Sequence, residues 1–242
     1  MNRPDEQLYK AWSFFDRIYC ISIDQRHDRR EQVRIQFTDV GLLDRVEFVI
    51  VTKHPENRAQ GIFESHMHCL RKGLEAGADH ILIFEDDVFF QKFFPARLHE
   101  ACSSLNDTAN WNALFLGCIT NGSRKTQDAA LVQIEYRCLA HGYALNRPFA
   151  QHIVREKWSG IPFDELLRRS RKNFYALYPM CAFQGRSGTD NQTVAIDRMR
   201  RFFGGLPFIQ KANELYQNHK KVLLSINLIL ILGLAGLVFS LR

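Results

Sequence analysis

The segment H-I-L-I-F-E-D-D-V-F, from His80 to Phe89, decides the fold that this sequence predicts. Four apolar residues, 81–84, are typical of a buried strand, and three carboxylates follow them directly. Burying charges is costly unless they meet a cation, and ligands of open α/β sheets bind at the carboxyl ends of strands. The segment therefore predicts a Mg²⁺ or Mn²⁺ site at Glu85, Asp86 and Asp87. An acidic loop that caps the next helix through its dipole is the alternative.

Apolar runs and helical spacings alternate on both sides of this segment. Upstream, the sequence predicts strands at 18–23 and 46–51, and helices at 29–40 and 61–77. Downstream, it predicts strands at 111–118, 131–136 and 142–145, and helices at 148–156 and 164–171. The order strand–helix–strand–helix–strand predicts a Rossmann-like, mostly parallel α/β sheet with helices on both faces.

The composition indicates one globular domain with an anionic partner. The chain has 242 residues, of which 46% are hydrophobic, enough for a substantial core. Its net charge of +6 suits nucleic acid, acidic lipid or a nucleotide diphosphate. Nucleic acid is not the expected partner, because acids are interspersed with the basic clusters and no recognition motif occurs. The six cysteines form no C-x-x-C pair, which favours reduced, buried thiols over a zinc ribbon or disulfide scaffold.

The C-terminal segment is apolar enough to be a membrane anchor. Val222 to Leu241 carries no charge, and 20 helical residues would span about 30 Å, the hydrocarbon thickness of a bilayer. Lys220 and Lys221 precede this segment, so the catalytic domain is expected on the cytoplasmic side. We therefore expect a domain at 1–210, a basic juxtamembrane linker at 211–221 and a single-pass transmembrane helix at 222–241. A buried core helix is the alternative for the last segment.

Seven segments, taken in order, make the sequence similar to glycosyltransferase family 25, which contains lipopolysaccharide and collagen galactosyltransferases. These segments are I-Y-C-I-S-I-D-Q-R-H-D-R-R (18–30), G-I-F-E-S-H (61–66), L-I-F-E-D-D-V (82–88), W-N-A-L-F-L-G (111–117), G-Y-A-L-N-R (142–147), P-F-D (162–164) and G-T-D-N-Q (188–192). The chain departs from the family at Ser22, where the family usually has Asn.

The resemblance implies a GT-A-type fold and transfer of a hexose, most often galactose, from a UDP-sugar to an acceptor hydroxyl with inversion. Mn²⁺ or Mg²⁺ would be held by Asp87 with Asp86 and Asp190, and would neutralise the leaving diphosphate. The residues that the resemblance implies for donor binding are Asp24, Arg26, Arg29, Ser65, His66, Glu85 and Asp86.

Inverting transfer needs one general base on the acceptor side. Asp164 is the first candidate and Asp190 is the second. The alternative for Asp164 is an N-cap of the helix that follows. For Ser65 and His66, a helix cap and a packed histidine are the alternatives to donor binding.

The expected acceptor is a glycan or a lipid-linked saccharide, such as a lipopolysaccharide precursor, because an anchored enzyme meets membrane-borne acceptors. Two other functions fit the same residues. One is a metal-dependent phosphoryl or nucleotidyl transferase, although the sequence has no G-x-x-x-x-G-K-[ST] loop. The other is a tail-anchored binding module that has the fold without the activity.

Overall fold

The computed structural model describes residues 3–170, 172–185 and 205–240, and for residues 3–5 and 226–240 it describes the backbone alone. The strands are β1 (Arg17–Ile23), β2 (Val46–Val51), β3 (His80–Glu85), β4 (Val88–Phe90), β5 (Ala113–Phe115), β6 (Ile119–Lys125), β7 (Leu131–Cys138), β8 (Gly142–Asn146), β9 (Phe174–Leu177) and β10 (Ala182–Gln184). The α-helices are α1 (Arg3–Trp12), α2 (His27–Asp39), α3 (Arg58–Glu75), α4 (Pro95–Asn106), α5 (Arg147–Ile153), α6 (Phe163–Arg169) and α7 (Gly205–Ser240).

A large mixed sheet forms the centre of the described part of the chain. Its strand order is β2-β1-β3-β8-β5-β9-β7-β6, and β10 pairs with β4 in a separate two-stranded sheet. β1 lies between β2 and β3 and is parallel to both, whereas β8 is antiparallel to β3 and β5, and β7 is antiparallel to β9 and β6. All strands of the large sheet except β7 and β8 therefore run in one direction. This confirms the predicted mostly parallel α/β sheet with helices.

The apolar run that precedes the acidic residues is buried on both faces of this sheet. Ile81 and Ile83 belong to one hydrophobic cluster, together with Met67 of α3. Leu82 and Phe84 belong to the other cluster. Alternate side chains of a strand point to opposite faces, so a strand covered on both sides is apolar throughout. This is why β3 has no polar residue between His80 and Glu85.

The helix α3 begins at a side-chain cap and packs one face against the sheet. Asn57 is its N-cap, and its side-chain oxygen accepts a hydrogen bond from the Gln60 N–H at 3.1 Å. Met67 and Leu70, further along the helix, are buried in the core. Arg58, at the N-terminal end of α3, lines the same cavity as Glu85, Asp86 and Asp87.

The predicted linker at 211–221 is part of the helix α7, and its polar residues hold this helix to the domain. Asn213 accepts a hydrogen bond from the Thr120 N–H and donates one to the Thr120 carbonyl, both at 2.9 Å. Glu214 accepts a hydrogen bond from the Met180 N–H at 2.6 Å. The helix begins at Gly205, before the expected domain boundary at 210.

No helix within the described residues is long and apolar enough to cross a membrane. Most of the predicted transmembrane helix, from residue 226 onward, lies outside the residues whose side chains are described. The membrane anchor at 222–241 and the cytoplasmic orientation therefore stay predictions.

The docked part of α7 leads to a prediction about pH. Burial raises the pKa of Glu214 from 4.5 to about 7, opposed by the hydrogen bond from Met180 and by the charge of Lys211. The folded state then keeps a proton that the unfolded chain releases, so this carboxyl makes the free energy of unfolding fall as pH rises from 4.5 to 7. Glu214→Gln removes that contribution. We expect the free energy of unfolding, measured with urea at pH 4.5 and at pH 7, to fall by about 1–2 kcal/mol less in the variant than in the unmodified protein. An equal decrease in both proteins would contradict the assignment.

Candidate functional site

The three consecutive carboxylates are the last residue of β3 and the two residues of the turn between β3 and β4. Asp86 donates its backbone N–H to the Ile21 carbonyl at 3.1 Å, which ties the turn to the end of β1. The next element is a strand, and the following helix, α4, has Phe94 as its N-cap and no side-chain cap. The helix-capping alternative for the acidic residues is therefore wrong. We call Glu85, Asp86 and Asp87 the acidic turn.

Asp86 is held on both oxygens by neighbouring side chains. The Ser22 hydroxyl donates to Oδ2 at 2.7 Å, and the Arg29 guanidinium donates to Oδ1 at 3.3 Å. Arg29 is 8% exposed, and its Nη1 also lies 3.7 Å from Oδ2 of Asp87. Burial raises the pKa of Asp86, and the Ser22 hydroxyl and Arg29 oppose that rise. Arg29 therefore offsets part of the negative charge of the acidic turn from within the protein, and Asp86 holds it there.

Asp87 has an oxygen that the described residues leave without a hydrogen bond. Gln184 of β10 donates to Oδ2 at 3.1 Å, while Oδ1 is buried and has no partner among these residues. Burial raises the pKa of this carboxyl, and Arg29 opposes the rise. A buried carboxylate oxygen without a hydrogen-bond donor is unfavourable. A proton or a bound cation would therefore stabilise this atom.

Glu85 contacts a buried, neutral histidine. His66 Nε2 lies 3.4 Å from Glu85 Oε1, and His66 Nδ1 lies 2.9 Å from the Tyr143 hydroxyl. The imidazole stacks on Phe163 with ring centroids 4.3 Å apart, and burial lowers the pKa of His66 to about 4. Burial, followed by the charge of Asp87, raises the pKa of Glu85 well above its usual value. His66 is therefore a packed histidine that also lies against the acidic turn.

Two cavities that share residues border the acidic turn, and a third, of about 530 Å³, is lined by Asp86, Asp87 and residues of α2. The first of the two, of about 290 Å³, is lined by all three carboxylates and by residues of α3 and the preceding loop. The second, of about 220 Å³, extends from Glu85 to the start of α6. The residues shared by both cavities are Arg58, Ile62, His66, Glu85, Leu139 and Gln184.

Asp164 lies in the wall of the second cavity. The Tyr136 hydroxyl donates a hydrogen bond to its Oδ1, and the Leu139 N–H donates to Oδ2 at 3.3 Å. Pro162 is the N-cap of α6 and Asp164 is in the first turn, so the N-cap alternative for Asp164 is wrong. Asp164 and Glu85 are 79 residues apart in the sequence, and the fold brings both to the second cavity.

The remaining predicted site residues lie in different surroundings. Ser65 lines the first cavity, but its hydroxyl donates to the Gly61 carbonyl at 2.6 Å within α3. Asp24 and Arg26 are not among the residues found to line either cavity, and Arg26 pairs with Asp28 at 2.9 Å. Asp190 lies outside the described residues.

Several residues of the first cavity had no signal of function in the sequence. Lys53, His54 and Arg58 line it, and Arg58 is the first residue of α3. The Asn57 cap predicts a helix start here, but only the parallel pairing of β1 with β3 brings that start beside the acidic turn. Gln184 was missed because β10 reaches Asp87 from 97 residues further along the chain.

The described residues fit a cation that substrate phosphates help to hold. No group of three or more His, Cys, Asp or Glu side chains within these residues is arranged as a metal site. Both carboxylate oxygens of Asp86 accept hydrogen bonds, one from Ser22 and one from Arg29. Among the carboxylate oxygens of Asp86 and Asp87, Oδ1 of Asp87 is therefore the one that has no donor within the described residues. Mg²⁺ sites often use one or two carboxylates together with waters and phosphate oxygens, so this donor set suits a shared cation better than a closed cage.

No family model and no curated protein matches the sequence. Similar solved structures include A197 from STIV, with 14% identity over 71% of this chain and 86% of that chain and a TM-score of 0.48. A putative glucose-1-phosphate thymidylyltransferase from Bacillus anthracis has 12% identity, coverage of 88% and 80%, and a TM-score of 0.43. A glycosyltransferase involved in the glycosylation of the major capsid of PBCV-1 has 11% identity, coverage of 57% and 63%, and a TM-score of 0.32.

Nucleotidyltransferase and glycosyltransferase folds therefore both occur among the similar structures. All three structures have identities of 14% or less and TM-scores below 0.5. Membership of glycosyltransferase family 25 in particular is not confirmed.

The hydrogen bonds of the acidic turn lead to a stability prediction. Ser22→Ala removes the donor to Asp86 and the acceptor for Arg30, whose Nη1 lies 3.1 Å from the Ser22 hydroxyl. We expect the free energy of unfolding to fall by about 1–3 kcal/mol, because buried charged groups lose a partner. Ser65→Ala is the matched control, since its hydroxyl bonds only within its own helix, and its cost should stay near 0.5 kcal/mol. Urea denaturation compares the two, and equal costs would contradict this account of Asp86.

Proposed function

We propose that the protein is a nucleotide-sugar-dependent glycosyltransferase that moves a hexose from a UDP-sugar to an acceptor hydroxyl with inversion. The observation that carries this proposal is the first cavity, which is lined both by the acidic turn, with its unpartnered Oδ1 of Asp87, and by Arg58 at the start of α3. Galactose is the proposed sugar because the sequence resembles a family of galactosyltransferases.

The charges around the first cavity suit a sugar nucleotide's diphosphate. Lys53 and Arg58 line this cavity together with the acidic turn, and Arg58 begins α3, where the helix dipole favours anions. The carboxylates of the acidic turn would repel a bare diphosphate, so they and the phosphates need a shared cation. Asp87, oriented by Gln184, would hold Mn²⁺ or Mg²⁺, which when bound neutralises charge on the leaving diphosphate.

The second cavity supplies a place for the acceptor next to the donor. It shares Glu85 and Arg58 with the first cavity, and Asp164 lines its far side. Asp164 would remove the proton of the attacking hydroxyl, as inversion requires a base on the face opposite the leaving group. Asp190 remains the second candidate base and a proposed ligand of the cation. A glycan or lipid-linked saccharide is the proposed acceptor.

A metal-dependent nucleotidyl transferase is the second candidate, because the same carboxylates and basic residues suit phosphate chemistry. The two candidate reactions differ in the bond that breaks. Glycosyl transfer cleaves the bond between the anomeric carbon and the diphosphate and releases UDP. Nucleotidyl transfer cleaves the phosphoanhydride between the α- and β-phosphates and converts a nucleoside triphosphate and a sugar phosphate into a nucleotide sugar and pyrophosphate. Analysis of the phosphorus products by ³¹P NMR, with diamagnetic Mg²⁺ and each substrate set, identifies the reaction class.

Asp87→Asn tests the proposed role of the acidic turn in donor binding. The amide keeps the shape of the side chain but loses the charge, so we expect Mn²⁺-dependent release of UDP to fall by about 100-fold or more. The Mn²⁺-dependent rise in melting temperature with UDP-galactose should vanish as well. Asp107→Asn, at the exposed C-cap of α4, is the control with the same change of charge. Unchanged turnover in Asp87→Asn would refute the assignment, and binding without turnover in the unmodified protein would indicate a binding module.

A further inference from the structure

The polarity of α7 is reversed relative to that of an ordinary surface helix. A helix on the surface of a globular protein packs an apolar face against the core and leaves its polar face in water. The face of α7 that lies on the domain is polar instead. Gln210 donates to a backbone carbonyl of β10 at 2.8 Å, and Asn218 accepts from a serine hydroxyl of β6 at 2.8 Å. Asn213 and Glu214 belong to the same face.

The outward face of α7 is apolar along the part of the helix whose side chains are described. Phe208, Leu215 and Val222 follow one another at intervals of seven residues and are 58%, 58% and 57% exposed. Ala212 is exposed between the first two. At 3.6 residues per turn, these four positions fall within a sector of about 80°, on the side opposite Gln210. A contiguous apolar stripe of this kind marks an interaction surface.

The spacing of this stripe is that of a coiled coil, and it continues through the rest of α7. Intervals of four and three residues alternate along a coiled-coil seam. His219 fits this spacing between Leu215 and Val222; it is partly buried, and its Nε2 lies 3.0 Å from the Tyr178 hydroxyl. Beyond Val222 the spacing falls on Ile226, Ile229, Gly233, Gly236 and Ser240. We call these ten positions, from 208 to 240, the seam; they extend over about five heptads, more than the three to four that indicate a coiled coil.

The residue types along the seam favour a second helix over a lipid surface as its partner. All three of the Gly and Ser residues between 226 and 240 fall on the seam. The other positions of this segment, apart from Asn227 and Ala235, hold large apolar residues. Small residues that share one face let two helices approach closely, also within a bilayer. Contact with lipid alone gives no reason for small residues to share a face.

The charges of α7 are compatible with a pair of identical helices in parallel. In such a pair, the positions that flank the seam of one helix meet those of the other. Lys211 is the charged residue at these flanking positions, and it would meet Tyr216 of the second copy rather than another lysine. Lys220 and Lys221 fall at heptad positions remote from the seam. A parallel pair also keeps the uncharged segments 222–241 side by side.

We propose that two copies of the chain associate in parallel through the seam of α7, with the two domains on the outside of the pair. The polar face of α7 holds each domain on the side of the helix opposite the seam, so the domains do not obstruct the contact. Leu206, near the start of α7, lines the first cavity, so a symmetric pair would place both first cavities at the same end. This inference does not depend on the proposed transfer reaction.

Two exposed residues near each other on α7 provide a matched test. Val222 and Leu224 are both 57% exposed, but only Val222 belongs to the seam. We expect the full chain to sediment as a dimer in a density-matched detergent. Val222→Glu should raise the dissociation constant of the dimer by at least about tenfold, because it places a charge in an apolar contact. Leu224→Glu should change it by no more than about twofold. A monomer at every concentration, or equal weakening by the two variants, would overturn the proposal.

Lipid is the other partner that the same variants can detect. If lipid covers the outward stripe, the chain is monomeric in detergent, and Val222→Glu and Leu224→Glu reduce its flotation with phosphatidylglycerol vesicles to the same extent. That result would overturn the proposal.

Disulfide cross-linking tests the seam and its parallel direction without weakening the contact. Facing seam positions of a parallel pair bring Cα atoms close to the roughly 4.4–6.8 Å that a disulfide needs. After mild oxidation, Leu215→Cys should therefore run mostly at twice the mass of the chain on a non-reducing gel. Lys220→Cys, exposed on the same helix but outside the seam, should run as a single chain, as should the unmodified protein, whose cysteines are buried or partly buried. Cross-linking at 220 but not at 215, or at neither position, would overturn the proposal.

Discussion

Three consecutive carboxyl groups lie at the buried end of β3, and the unfavourable free energy of burying them has to be compensated by neighbouring groups. Ser22 and Arg29 engage Asp86, Gln184 engages Asp87, and His66 lies against Glu85. These partners come from β1, α2, β10 and α3, so the turn joins elements that are far apart in the chain. Even so, one oxygen of Asp87 has no donor among the described residues. A compensating cation shared with a diphosphate would complete this arrangement, and that requirement connects the fold to the proposed chemistry.

The sheet order explains why the two cavities adjoin. β1 and β3 are parallel neighbours, so their carboxyl ends and the start of α3 form one wall. The segment that contains β10 approaches from the other side, and this approach depends on Gly117, where an added Cβ would lie 1.7 Å from the Ala182 carbonyl oxygen. β7 then carries Tyr136 to the start of α6, which places Asp164 across from Glu85. Glu85 thereby borders both cavities.

The sequence was most informative where burial determines residue type. The continuous apolar run of β3 predicted a strand covered on both faces, and the carboxylates after it predicted the position of the site. The sequence could not predict the partners of these carboxylates. Arg29 was expected to contact the donor; it lines the first cavity, and the sequence could not predict that it is also buried against Asp86. Short strands such as β9 and β10 also escaped prediction, since a few residues carry too little periodicity.

The central claim is that Asp87 binds a divalent cation together with a sugar nucleotide's diphosphate. Anomalous diffraction from crystals soaked with Mn²⁺ and UDP tests it most directly, because Mn²⁺ scatters anomalously and the protein's light atoms barely do so. The account predicts one strong peak about 2.1–2.2 Å from Oδ1 of Asp87, with diphosphate oxygens completing its shell. UDP bound without a peak at the acidic turn, or a peak with no contact to Asp87, would contradict it.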